Sequence, residues 1–298
     1  MNASTQVRPR RLLQALLLLT AVLLLGACSA RFAYSQLDWL VPWYLRDYVS
    51  FNAGQRDVLD QRLSQRLDWH CRAHLPQYVE LLREARSTLA ADEVAVADLE
   101  PFVQRGEAWW DELRGVLVAD AAVLLAGLSN DQVLELAAAF ERQDREAREE
   151  YLGGSAEERA AAQITRMEKR LRNWFGRLTA EQQRLVAAWS VALHPSTEQW
   201  LDGRRQWQQR VLDALAVRDQ AAQFAPRVVA LAAPFNAEAP AAYQAQLAHN
   251  RQLTLRLLAD VFNTATPAQR ERVRGELDEL GAQFGALACA GPQVANAS

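Results

Sequence analysis

Three observations predict an all-α fold, a bundle of roughly nine to eleven helices behind a cleaved leader. After residue 32, apolar residues recur at helical spacing and alternating runs are absent. Alanine, leucine, arginine, glutamate and glutamine, all good helix formers, dominate the chain. The 13 glycines and 10 prolines fall mostly between the periodic segments. In order, helices are expected over 32–49, 53–75, 76–90, 98–127, 130–152, 156–177, 180–193, 197–223, 225–233, 238–263 and 267–288.

The first of these, around LDWLVPWYLRDYV, is apolar nearly all round. Leu37, Leu40, Val41, Tyr44, Leu45 and Tyr48 form one stripe, Trp39 and Trp43 another. That pattern suits a central helix covered by the rest of the bundle. Its alternative is an aromatic face at lipid headgroups, where Trp and Tyr concentrate. The second helix carries Leu59, Leu63 and Leu67 on one stripe, which His70 and His74 continue. It should stop before Pro76, which disfavours helical geometry at Leu75.

Six later or flanking starts have the form of capping boxes: Asn52…Gln55, Ser129…Gln132, Ser155…Glu158, Thr179…Gln182, Ser196…Gln199 and Thr266…Gln269. In each, a side-chain oxygen takes an orphan amide, and the residue three positions on reaches back. Breaks are expected at Gly153-Gly154, His194-Pro195 and APFNAEAP (233–240). The run FERQDREAREEY (140–151) offers Glu141–Arg145 and Asp144–Arg148 at i,i+4 spacing, as on a solvated helix face. The nine tryptophans suggest large buried areas and a well-fixed bundle. With no composition shift to mark a linker, one helical domain over 37–298 is expected after a tether at 28–36.

The N-terminus carries an address. Arg8, Arg10 and Arg11 precede an apolar run from Leu12 to Leu25, the layout of a signal peptide over 1–27. The run closes on Leu25-Gly26-Ala27-Cys28, which resembles the bacterial lipobox, where the cysteine is lipidated after cleavage. Acyl chains on Cys28, palmitate among them, would hold the chain to a membrane without a spanning helix. Ser29, rather than an aspartate, implies by the same resemblance the outer membrane of a Gram-negative cell, facing the periplasm. The leader takes three arginines and no acid with it, so the remainder is more acidic than the whole chain's net charge of −3. Scattered arginines on an acidic chain exclude an extended nucleic-acid patch.

Lipidation of Cys28 leaves Cys71 and Cys289. In an oxidising compartment they can form a disulfide, or they can remain buried free thiols.

The chemistry-bearing stretch is DWHCRAHLPQY (68–78). His70 and His74 face inward one turn apart. They read as the end of an ordinary helix, as a metal pair, or as a catalytic or pH-sensing pair. A zinc site would need further ligands from His194, His249, Cys71, Cys289 or carboxylates, and Arg66 and Arg72 are poor neighbours for a cation. Common hydrolase, metalloprotease, nucleotide and dinucleotide motifs are absent, and Lys169, the only lysine, lies in no Ser-x-x-Lys. No catalytic residue or cofactor is assigned. A binding or scaffolding role toward an envelope partner is expected, in an oligomeric state the sequence leaves open. A metal-dependent or hydrolytic envelope enzyme around His70 and His74 is the rival.

The lipobox, YSQLDWLVPWYLRDYV and WHCRAHLPQY together resemble the start of an uncharacterised proteobacterial lipoprotein family, catalogued as a domain of unknown function. The carrying residues are Leu37 to Leu40, Trp43 to Leu45, Trp69-His70 and Leu75-Pro76. That resemblance implies no activity and transfers no functional residue. The pentads LSNDQ (128–132), LTAEQ (178–182) and ATPAQ (265–269) are similar to those of small periplasmic stress chaperones, an alternative reading; each also makes a good helix start.

Overall fold

The computed structural model describes residues 34–234, 237 and 239–289. Eleven helices and no strand lie among the described residues: α1 (Leu37–Leu45), α2 (Ala53–Ala73), α3 (Leu75–Thr88), α4 (Val96–Ala126), α5 (Asn130–Leu152), α6 (Ala156–Phe175), α7 (Ala180–Ala192), α8 (Thr197–Leu215), α9 (Ala221–Ala230), α10 (Ala241–Asn263) and α11 (Pro267–Leu287). No described helix is long and apolar enough to cross a membrane. The leader, the lipobox and Cys28 lie outside the described residues.

Local chemistry sets the helix starts. Asn52, Ser129, Ser155, Thr179 and Thr266 each accept the amide three residues on, and the side chain there returns the bond. Ser196 does not; with φ −137° and ψ 1° its side chain makes no cap bond. The Gly153-Gly154 turn requires both glycines. A Cβ on Gly153 would sit 2.3 Å from the Glu149 carbonyl oxygen, and Gly154 has φ +74°. Helix α8 ends at Leu215, earlier than its sequence pattern suggests. Arg218 folds back to donate to the Leu215 and Leu128 carbonyls, closing the turn against the entry to α5.

Two cores form. Helices α6, α7, α10 and α11 enclose Met167, Leu171, Phe175, Val186, Val261, Phe262, Val273 and Leu277, with Val186 and Val261 sealed from solvent. Around Val49, Leu128, Leu136, Phe140, Val211 and Leu215, α5 and α8 form the second, which α9 extends through Phe224 and Val228. The 31-residue α4 serves both: Leu99 packs on the first core, Val118, Ala122 and Leu125 on the second. It is latched to α2 by Asp120, 5% exposed, which receives Arg66 at 2.5 Å and Arg62 at 3.4 Å. Arg251 of α10 grips its other half through Glu100 and Glu107, both at 2.6 Å.

Three further sequence expectations need correction. Helix α1 is not covered: none of its residues is buried, and Trp39, Trp43 and Tyr44 are exposed. It is the first described helix and packs chiefly along α2, so one neighbour cannot cover a helix that is apolar all round. The tryptophans do not form the core's centre either; none is fully buried, although Trp189 and Trp207 pack against the two cores. Their indole N–H groups draw them to the edges, where Trp109, Trp189 and Trp207 donate to Gln77, Thr254 and the Leu231 carbonyl. Segment 140–151 is more than a solvated face. Phe140, Asp144 and Ala147 are buried against α8, and Arg148 bridges Asp144 to Asp202. No Glu141–Arg145 ion pair forms among the described residues.

Candidate functional site

The chain passes from α2 to α3 through His74 alone. Its φ of −102° and ψ of −43° nearly continue the helix, its amide bonds the His70 carbonyl, and its carbonyl accepts from Tyr78. Helix α2 stops before Pro76 as expected, at Ala73, but Leu75 is itself helical and opens α3. Pro76 falls in the first turn of α3, where a missing amide is no loss. Both histidines face inward, His70 half-buried and His74 only 1% exposed.

Their rings stack 5.2 Å apart, 18° from parallel. Both His70 nitrogens are engaged: Nδ1 lies 3.1 Å from the Tyr34 hydroxyl and Nε2 3.2 Å from that of Tyr78. Tyr34 also donates to the Leu67 carbonyl. The chain is therefore satisfied by a neutral imidazole that donates from Nδ1 to Tyr34 and accepts from Tyr78. His74 Nε2 meets Glu112 at 3.2 Å, while its buried Nδ1 has no partner among the described residues. Burial, then the adjacent His74, push the His70 pKa below the ordinary imidazole range, and burial raises both tyrosines.

Both His70 nitrogens are taken up by tyrosine hydroxyls and His74 Nε2 by Glu112, so within the pair only His74 Nδ1 is without a bond among the described residues. His194 and His249 stack on each other at 4.1 Å, their segments joined by Asn250 bonded to the His194 backbone. Cys71 and Cys289 are joined in a disulfide. The acid and sulfur cluster of Asp68 with these two cysteines thus offers no thiolate among the described residues.

The histidine pair makes a pH prediction. Because folded His70 holds its proton less tightly than unfolded His70, the unfolded chain binds a proton first as pH falls below about 6.5. Stability is fully present above that point and is lost as pH drops toward the depressed folded value. Denaturant curves between about pH 8 and pH 5 should show the loss, and His70→Gln should flatten it. Identical slopes in both proteins would contradict the assignment.

A second site was not legible in the sequence. Helices α1, α4, α5, α8 and α9 leave a cavity of about 840 Å³ between them, with Leu117, Val118, Ala121, Leu124 and Leu125 of α4 along one wall. Phe140, Trp207 and Val211 stand on the α5–α8 side, and exposed Tyr44, Trp110 and Leu117 belong to its lining. That volume lies at the large end of the range of about 300–1,000 Å³ for small-molecule pockets. The polar lining is sparse. Arg114 is paired with Asp111 and the Ala232 carbonyl, whereas Arg204 donates, among the described residues, only to the neutral Gln143 at 3.1 Å. Gln208 is 5% exposed and forms no hydrogen bond among the described residues. It also lines an adjoining cavity of about 330 Å³, beside Asp144, Arg145 and Arg205. The nearest sequence signal was α1, whose all-round apolar surface exceeds what its neighbour covers.

Fold and site together define a helical-bundle protein with an apolar cavity among its helices and a disulfide-fastened helix end. The chain belongs to a family of unknown function, DUF6279, whose profile matches residues 47–242. Trp69-His70 and Leu75-Pro76 fall within the match; the LDWL and WYL runs precede it. No curated protein and no solved structure matches the chain.

Proposed function

We propose that this chain is a lipid-anchored envelope protein whose helical body binds an apolar ligand in the α1–α4–α5–α8–α9 cavity. The observation that carries the reading is the cavity itself. An apolar space this large, bordered by exposed aromatics, forgoes contacts that a tightly packed core would make and that a bound alkyl group would restore. Two features support a membrane setting. The leader ends just before Cys28, and α1 begins shortly after it, presenting Trp39 and Trp43 stacked at 6.0 Å and exposed. Anchored through residues 28–36 to the outer membrane, α1 would lie at headgroup level with Tyr44 and Tyr48 leading into the cavity.

The anchor is tested by fractionating cells that express Cys28→Ala: the variant should leave the membrane fraction, and continued attachment of the cleaved protein would refute lipidation. For the cavity, the full chain in lipid nanodiscs is exposed to hexadecanol carrying a photoactivatable diazirine. Labelled peptides should map to cavity residues such as Leu117 and Val211. Ala121→Trp, which fills the space from α4, should cut that labelling at least about tenfold while leaving the melting temperature unchanged or higher. Labelling confined to α1, or unaffected by the filled cavity, would overturn the reading.

A further inference from the structure

The polar groups of the cavity are few and unevenly placed. Arg204 and Gln208 stand one turn apart on α8, on one face, with Gln143 of α5 beside them. Facing them, the α4 wall is apolar from Leu117 to Leu125. Of the two arginines lining the space, Arg114 is neutralised by Asp111, so the lining carries one positive charge in excess, on Arg204. Arg204 has no carboxylate partner among the described residues. Nearly every other arginine that reaches across this fold is met by an acid or a backbone carbonyl. Gln208 is the second observation: a residue more than nine-tenths buried that lines the cavity and forms no hydrogen bond among the described residues. Its amide atoms remain reachable from the cavity although the residue as a whole is nearly enclosed, so the carboxamide is available to a polar guest.

Resting on the apolar-ligand reading above, we infer that the guest is a long-chain carboxylate, its head on Arg204 and Gln208 and its alkyl chain along the α4 wall. One guanidinium without an acid partner matches one monoanionic, planar head, which it can hold by two parallel N–H···O bonds. Gln208 supplies a further N–H. Tyr44 and Tyr48, joined hydroxyl to hydroxyl at 2.8 Å, also line the cavity, and Arg204 acts electrostatically on Tyr48. A neutral alkyl ligand would satisfy the α4 wall and leave Arg204 without a counter-charge. The binding step is reversible and involves no bond making or breaking.

Two photoactivatable probes with the diazirine at the same carbon separate the claims: hexadecanoic acid and hexadecanol, each offered to the full chain in nanodiscs. Cavity peptides should be labelled by both, and the acid-to-alcohol ratio should fall about five- to tenfold in Arg204→Gln. The ratio within one chain set cancels differences in partitioning. Arg204→Lys, which keeps the charge, should recover much of it, which a merely misfolded variant would not do. An unchanged ratio in Arg204→Gln overturns the carboxylate assignment and leaves the apolar-ligand reading standing. Cavity peptides left unlabelled by both probes, as when a second copy of the chain fills the space, overturn both.

Discussion

Cys71→Ala should lower the melting temperature by about 10 °C, and reducing agent should lower the wild type by a similar amount while leaving the variant unmoved. The bond joins residues 218 apart in sequence, at a Cα separation of 5.2 Å. For so long a loop, chain-entropy reasoning assigns about 5 kcal/mol of stabilisation, an upper figure because native-state effects usually subtract from it. The loss should be uneven. Cys289 sits just beyond the end of α11, and its amide also donates to the Cys71 carbonyl, so this is where the last helix is tied down. Along most of its length α11 packs on α3, its most extensive partner, and the start of α11 is held by Gln269. Hydrogen exchange should therefore rise over 280–289 and around Tyr78, which touches Phe284, and change little near Val273. Alkylation of both thiols in protein isolated from cells without reductant would refute the bond. Equal melting temperatures for Cys71→Ala and wild type would refute its weight.

Much of this architecture is visible in local sequence because helix starts are local events. The N-cap residue and the glutamine or glutamate three positions on are neighbours in the chain, so Asn52, Ser129, Ser155, Thr179 and Thr266 could be read directly. The inward direction of His74 followed from the 3.6-residue period for the same reason. Its partner Glu112 lies 38 residues away and the Tyr34 that bonds His70 lies 36 away; no periodicity links such positions. The cavity was harder still. It belongs to no single helix but to the shortfall left when α1, α4, α5, α8 and α9 meet, and only the all-round apolar surface of α1 hints at it in the sequence. Exposure of Trp39 and Trp43 was ambiguous in sequence because a helix apolar all round can be either enclosed or set against lipid, and only the count of its neighbours decides. The pentads LSNDQ, LTAEQ and ATPAQ were read correctly as helix starts, but their glutamines do more than cap.

That second use of the capping glutamines yields the other large expected effect. Gln182 and Gln269 exchange amide bonds across the α7–α11 contact, at 3.1 Å and 3.0 Å. Each oxygen also caps its own helix, taking the amides of Thr179 and Thr266. Each nitrogen spends its second proton on a backbone carbonyl, Val261 for Gln182 and Arg177 for Gln269. Gln182 is 0% exposed and Gln269 is 7%, so every one of these groups depends on the others. Gln55 and Gln132 form the same clasp between α2 and α5, bonding the Gly127 and Ser50 carbonyls in turn, but that pair is only part-buried. The contrast makes the prediction specific. Gln182→Ala removes both cross-helix bonds of the buried Gln269 carboxamide, uncaps the Thr179 amide, takes one donor from the Val261 carbonyl and leaves a void, and should cost about 3 kcal/mol or more. Gln55→Ala, where water can replace the lost partners, should cost about 1 kcal/mol. Gln182→Leu combined with Gln269→Leu should cost clearly less than the sum of the two single changes, because the pair then leaves no unmatched carboxamide behind. Urea titrations of the five proteins with wild type measure all of this. Equal costs at Gln55 and Gln182 would show that burial does not set the clasp's strength. Strict additivity of the two leucine changes would show that the glutamines act as separate caps rather than as one joint between helices.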